Sequence, residues 1–380
     1  MGKYTIADHP ELDAVIDAAL PRIVAAALAT PHGHTIAAIV LGGGYGRADG
    51  GAYRDAVGHY RPYNDFDLFV FTQGRSRRSR RRLDAELAAA MTEPARALGI
   101  HVDFGPAQNL SLLPRTPFTM MWQELKQGHM VVYGAPDVLA AMPEYDLKRM
   151  PLEEGAKLLL NRGTGLWLAR TELAAGLSTP AATDFTARNL WKAVLACGDA
   201  ALIARNAYEP TLAARLARLR ELATTEPELN PTAQWYLQAA TFKQQPRDYT
   251  PEEIGVLWEP ARQLFHDAYL DFFRRFYRRP IADMAALQDL VFREEPPDCH
   301  PTPIARGRNM VLNLLTAGIT RFNWRHYQRY PRFILFTVFP GLLFDSGSQK
   351  RYIVLLPGIK PDSSPEAVAT AYRKLWLRFN

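Results

Sequence analysis

LGGGYGRADGGAYRDAVGHYRPYNDFDLFVF, residues 41–71, sets four glycines in five residues ahead of two aspartates that open an apolar run. Both features are costly on their own. Glycine loses extra backbone entropy on folding, and carboxylates beside a buried sheet need a partner such as a metal ion. In a strand, residues i and i+2 project from one face. Asp65 and Asp67 are therefore expected to point together, while Phe66 and Leu68 turn to the opposite side. Two converging carboxylates repel unless a cation lies between them, and all-oxygen ligation favours magnesium. Manganese is the natural substitute ion.

Working outward, TIAAIVLGG (35–43) is a β-branched run closed by glycine and predicts a buried strand. DFDLFVF (65–71) predicts a second, and IHVDF (100–104), closed by Gly105 and Pro106, a third. If the third pairs beside the second, Asp103 joins Asp65 and Asp67. Three carboxylates around one or two divalent ions make a two-metal phosphoryl or nucleotidyl transfer site. Gly42, Gly43, Gly44 and Gly46 follow a strand and leave backbone N–H groups uncovered, a turn suited to nucleotide phosphates. Arg47 adds a fixed positive charge with bidentate geometry for phosphate oxygens. The other glycine motifs fail. Arg47 and Asp49 stand where GxGxxG requires a third glycine, and no GxxxxGK[ST] or GxSxG occurs.

These residues resemble the core motif of the DNA polymerase β-type nucleotidyltransferase superfamily, a glycine pair after a strand followed by Asp-x-Asp. The matches are Gly43-Gly44 with Tyr45-Gly46-Arg47, then Asp65-Phe66-Asp67, then Asp103 within Val102-Asp103-Phe104, over roughly residues 35–135. The resemblance implies that Asp65 and Asp67 are metal ligands and Asp103 a third ligand or the base toward an acceptor hydroxyl. It implies that Gly43, Gly44, Tyr45, Gly46 and Arg47 bind the nucleotide. Gly44 stands where many members carry serine. The stretch 48–64 is longer than the usual hairpin and carries Arg54, His59, Tyr60 and Arg61, a candidate flap over the nucleotide.

The α+β class follows: a small polymerase β-like domain with a mixed sheet at 1–148, then a larger, mainly helical domain at 149–380. Residues 11–29 predict a helix kinked or broken at Pro21, and LDAELAAAMTEPARAL another, kinked or broken at Pro94. Beyond Met150 the long segments 152–177 and 185–208 are helical in pattern, with further helices at 211–223, 231–242, 251–278 and 281–292. KRYIVLLPG (350–358) could form a strand, and Ser364-Pro365 opens a last helix. Arg188, Lys192, Leu195 and Asp199 share one helix face. Arg188 and Lys192 are candidates to reach the triphosphate or the acceptor. Asn161-Arg162, set in an apolar segment, calls for an anionic partner, either a ligand, Glu154 or Asp199.

The composition, 48% hydrophobic and 22% charged with a net charge of +6, is that of an ordinary globular chain with a mild preference for anionic ligands. Cys197 and Cys299 lie far apart, so a disulfide framework or zinc site is not expected and a reducing cytoplasm is the simplest setting. The N-terminus lacks signal-peptide character. FILFTVFPGLLF (333–344) is too short for a bilayer span and is expected to be buried. RSRRSRRR (75–82) has no stacking aromatics and is assigned to a solvated loop and first helical turn. The expected activity is magnesium-dependent transfer of a nucleoside monophosphate, AMP from ATP foremost, to an acceptor hydroxyl with release of pyrophosphate. Two alternatives stand beside it: a nucleotide-binding sensor or assembly factor without turnover, and an RNA-binding adaptor working through residues 75–82.

Overall fold

In the computed structural model, which describes residues 2–299, 301–317, 324–344 and 349–380, the chain forms two units. The first comprises Met1–Pro151 with Asn206–Glu221 and Leu237–Asp248; the second comprises Leu152–Arg205, Leu222–Tyr236 and Tyr249–Asn380. The chain thus leaves the first unit at Pro151 and returns to it twice.

The first unit opens with α1 (Pro10–Leu28), which buries Leu12, Ile16, Leu20, Ile23 and Ala27 along one face. Pro21 neither breaks nor divides it. The ring lies on the exposed side, so the Asp17 carbonyl that loses its helical donor is left to solvent. Next come β1 (Ile36–Leu41) and the one-turn α2 (Gly43–Gly46). A hairpin of β2 (Ala52–Arg54) and β3 (Tyr60–Pro62) comes after them, and then β4 (Asp65–Thr72). Helices α3 (Arg77–Ala90) and α4 (Thr92–Leu98) lead to β5 (His101–Phe104), β6 (Gln108–Asn109), α5 (Met120–Gln127) and β7 (Met130–Tyr133). The helix break falls at Met91 rather than Pro94. Proline sits instead at the third position of α4, where its missing N–H would have had no intrahelical acceptor.

The strands form one mixed sheet in the order β5-β4-β1-β7, with β6 also pairing β4. β1 runs antiparallel to β4 and β7, whereas β4 runs parallel to β5 and β6. Alternation sends the two sides of the sheet to separate cores. Ile39, Leu41, Phe66, Leu68 and Val70 pack in the core that contains α1 and the Leu83 and Leu87 face of α3. Ala38, Val40 and Phe71 pack with Leu125 of α5 on the other side, joined by Phe69 and Trp122. By the same period of two, Asp65 and Asp67 project on the α5 side.

The second unit is helical. It contains α6 (Leu152–Ala174), α7 (Pro180–Ile203), and parts of α8 (Leu212–Thr225) and α9 (Asn230–Gln244). Then come α10 (Pro251–Tyr277), α11 (Met284–Arg293), α12 (Pro303–Ala317) and α13 (Trp324–Tyr327). The last are α14 (Arg332–Phe344), α15 (Gln349–Ile353) and α16 (Pro365–Phe379). A capping box of Thr250 with Glu253 starts α10, and Ser364 caps α16 by accepting from the Ala367 N–H. KRYIVLLPG is not a strand: its start lies in α15, because a short apolar run without alternation suits either state and packing decides. α14 is buried along most of its length, and among the described residues no helix is long and apolar enough to cross a membrane.

Phe66 is fully buried on β4, with its ring edge-on to Tyr45 at 5.0 Å. Phe66→Ala is expected to cost about 3–5 kcal/mol, read as a fall in the variant's denaturant midpoint relative to wild type. A loss below about 1 kcal/mol would show that this side of the sheet is not the core described.

Candidate active site at the glycine turn

The site is built where β1 ends. Its apolar run stops at Leu41, and the Gly42 N–H donates to the Asp67 carbonyl at 2.8 Å, tying the turn to β4. Gly43 has φ +59°, and a Cβ there would stand 2.1 Å from Asp67 Oδ2. Any side chain would both strain the backbone and displace the carboxylate. Gly46 closes the turn, its N–H bonded to the Gly42 carbonyl, and a Cβ on it would meet the Leu41 carbonyl oxygen at 2.2 Å. The first-turn N–H groups of Gly43, Gly44 and Tyr45 have no intrahelical acceptor, by the geometry of any helix start.

The register completes the acidic face. β4 and β5 pair in parallel, with Asp65 beside His101 and Asp67 beside Asp103. Paired residues of neighbouring strands lie on the same side of a sheet, about 4.8 Å apart, so the three aspartates share one face. Asp65 and Asp67 are half-buried and Asp103 is exposed. Asn64, held at φ +77°, donates its side-chain N–H to Asp65. The donors are hard carboxylate oxygens, the chemistry magnesium prefers. Among the described residues, however, no three His, Cys, Asp or Glu side chains are gathered tightly enough to hold a metal ion. The strand register sets the three carboxylates on one face, and their side chains are not gathered around a common point.

The Tyr45 side chain is not an open nucleotide contact. It turns inward, 3% exposed, and its hydroxyl donates to the Gly51 carbonyl at 2.7 Å and accepts the Tyr63 N–H at 2.6 Å. It pins both ends of the β2–β3 hairpin, which is the structure adopted within the 48–64 insertion. Asp55 organises the hairpin tip by accepting from the N–H groups of Val57 and His59 and from Arg61. Arg47 is committed inside the unit. Its guanidinium lies 3.2 Å from Glu124 and 3.7 Å from Asp49, while Nε is buried with no hydrogen-bond partner. Arg188 and Lys192 lie on α7 of the second unit, where Arg188 pairs with Asp184 at 2.9 Å. Asp199 accepts the Tyr236 hydroxyl at 2.7 Å.

Pairing of Arg47 with Asp49 was within reach of the sequence, but the sequence reading missed Glu124, Tyr208, Arg215 and Lys243. Glu124 on α5 accepts from Arg215 at 2.6 Å, from Tyr208 at 2.7 Å and from Arg47. Lys243 donates to Asp49 at 3.1 Å. Three cations, Arg47, Arg215 and Lys243, thus meet two carboxylates, Asp49 and Glu124, directly behind the glycine turn. A signal existed. Arg215 sits on the buried stripe Leu212, Arg215, Leu219 of α8, and a guanidinium in an apolar stripe requires an acceptor. Which carboxylate supplies it, 91 residues away, is not a local property.

No protein-family model matches the chain, and neither the curated proteins nor the solved structures contain a match.

Burial alone would raise the Glu124 carboxyl; Arg215, Arg47, the Tyr208 hydroxyl and Lys243 outweigh it and hold it down at about 2. The opposite happens at Lys243, where burial lowers the ammonium and the neighbouring arginines add to the fall, against the pull of Asp49. A carboxyl depressed in the folded state stabilises above its unfolded value and loses that contribution as pH falls. For Glu124 the window runs from about 4.5 down to about 2, and the contribution is about 3 kcal/mol. Glu124→Gln is expected to lower stability at neutral pH by about 3 kcal/mol and to flatten the acid limb of the stability profile. An unchanged profile would remove Glu124 from its place at the centre of the network.

Proposed function

We propose that the first unit carries a magnesium-dependent nucleotidyltransferase site of the DNA polymerase β type. It moves a nucleoside monophosphate, AMP from ATP foremost, onto an acceptor hydroxyl and releases pyrophosphate. The observation that carries this reading is the packing of the glycine turn onto the acid pair: Gly43 abuts Asp67, which lies in register with Asp103. A nucleotide laid on the turn would present its triphosphate beside those carboxylates.

In this reading Asp65 and Asp67 hold magnesium, with Asp103 across the strand pair as a third ligand or as the base. When bound, the metal offsets charge on the phosphates and makes the acceptor hydroxyl easier to deprotonate. The acceptor oxygen forms a bond to the α-phosphorus, the bond from that phosphorus to the β-phosphate bridging oxygen breaks, and the electron pair leaves with pyrophosphate. The hydroxyl proton passes to Asp103 or to solvent. The first-turn N–H groups of Gly43, Gly44 and Tyr45 bind phosphate oxygens. Arg47, fixed by Glu124, supplies positive charge from behind the turn without having to reorganise as charge moves toward the leaving group.

A second reading, nucleotide binding without turnover, draws on the same geometry. It is favoured by the engagement of Arg47 in internal ion pairs.

Calorimetric titration of magnesium–ATP into the wild type and into Asp65→Asn/Asp67→Asn, with pyrophosphate release followed in parallel, tests both. Magnesium-dependent binding is expected in the wild type and is expected to weaken at least about tenfold, about 1.4 kcal/mol, in the variant. Pyrophosphate release by the wild type supports transfer, and binding without release supports the second reading. Equal behaviour of the two proteins, with neither binding nor release, would overturn both.

A further inference from the structure

The arginine run 75–82 lies at the start of α3, and nothing in the nucleotide site uses it. Six of its eight residues are arginine, the others being Ser76 and Ser79. Ser76 caps the helix by accepting from the Ser79 N–H. The entry to the helix is held in place: the Arg75 N–H donates to Asn109 Oδ1 at 3.1 Å, and Asn109 Nδ2 donates back to the Arg75 carbonyl at 2.8 Å. Arg80 donates to that same carbonyl at 3.0 Å. Arg75, Arg77, Arg78, Arg81 and Arg82 are exposed, and Arg80 is half-buried.

None of the six makes an ion pair with a carboxylate among the described residues. The two acids nearest in sequence are occupied elsewhere. Asp84 accepts the Ala107 N–H at 2.8 Å, and Glu86 spends both oxygens on His32, one on its N–H at 2.9 Å and one on its ring at 2.6 Å. Arg82 acts on Glu86 only as the weakest of the influences on that carboxyl. The placement is also electrostatically adverse, because the first turn of a helix is its positive end and favours anions. A solvated helix face would interleave acids or place arginine in the last turn. Here charges of one sign accumulate where the helix already carries that sign.

We propose that the first two turns of α3, with Arg75 before them, dock the phosphodiester backbone of a nucleic acid. Arginine binds phosphate oxygens in pairs through its planar fork, and the helix start adds to that attraction. The run carries no aromatic side chain to stack on bases, so the contact is with phosphates and independent of sequence. A membrane surface fits less well. Interfacial helices insert an apolar face, whereas Leu83 and Leu87 of α3 are buried in the core and residues 73–82 are all polar or glycine. The proposal is independent of nucleotidyl transfer and needs neither Asp65 nor Asp67.

The test is fluorescence anisotropy of a labelled single-stranded uridine homopolymer titrated with full-length protein across about 50 to 200 mM salt. Four or five phosphate contacts at about 0.7 each give an expected log–log salt slope of about −3. Arg77→Gln/Arg78→Gln/Arg81→Gln/Arg82→Gln is expected to weaken binding more than about tenfold and flatten the slope, with no loss of thermal stability, since it relieves charge at the helix start. The matching four-lysine variant is expected to keep the slope while binding more weakly. Asp65→Asn/Asp67→Asn is expected to bind like the wild type. The proposal is overturned if the glutamine variant binds RNA as the wild type does. It is overturned equally if the wild type binds phosphatidylserine vesicles but not the RNA, or binds neither.

Discussion

The contact between Gly43 and Asp67 is the constraint on which the rest of the first unit depends. With a left-handed backbone and 2.1 Å from the place of its absent Cβ to a carboxylate oxygen, position 43 admits glycine alone without rebuilding the turn. The turn is thereby locked to the acidic end of β4, and the residues after it inherit that position. Tyr45 drops into the core against Phe66 and fastens the hairpin. Arg47 and Asp49 emerge behind the turn, facing α5 and the two returning segments of the first unit. One close approach, with no room for a Cβ at position 43, thus relates the glycine turn to the acidic face.

Behind it lies an arrangement that would be unstable piecemeal. Two arginines and a lysine meet two carboxylates, and Glu124 takes three donors at once. Buried pairs gain little over a well-packed apolar core, yet breaking one is expensive. Removing one member is therefore expected to cost more than the intact network gains over an apolar replacement. Segments 206–221 and 237–248 supply Tyr208, Arg215 and Lys243, and only with both in place is each charge answered. The three cations outnumber the two carboxylates by one, a local balance that favours anions.

Much of the sheet was legible from local pattern. TIAAIVL and DFDLFVF are β-branched and aromatic runs that do form strands, and the i, i+2 spacing of Asp65 and Asp67 comes from the pleat. IHVDF pairs beside β4 in the register that sets Asp103 next to Asp67. The features that stayed hidden depend on distant partners. Nothing near Arg47 announces Glu124, and nothing in the Tyr45 motif says that its ring points inward. Proline did not divide the helices as a break signal would: α1 runs on through Pro21 with one carbonyl left to solvent, and Pro94 sits in the first turn of α4, where its missing N–H has no intrahelical acceptor. At KRYIVLLPG the run is too short for its period to decide between strand and helix.

The acidic face makes sense as a metal centre only if an ion is bound at Asp65 and Asp67. The most direct measurement is manganese anomalous scattering from crystals grown with the ion and a non-hydrolysable ATP analogue. The expected result is a peak ligated by both carboxylates, with the triphosphate lying along Gly43 and Gly44. Nucleotide and manganese bound elsewhere in the protein, touching neither aspartate, would contradict it.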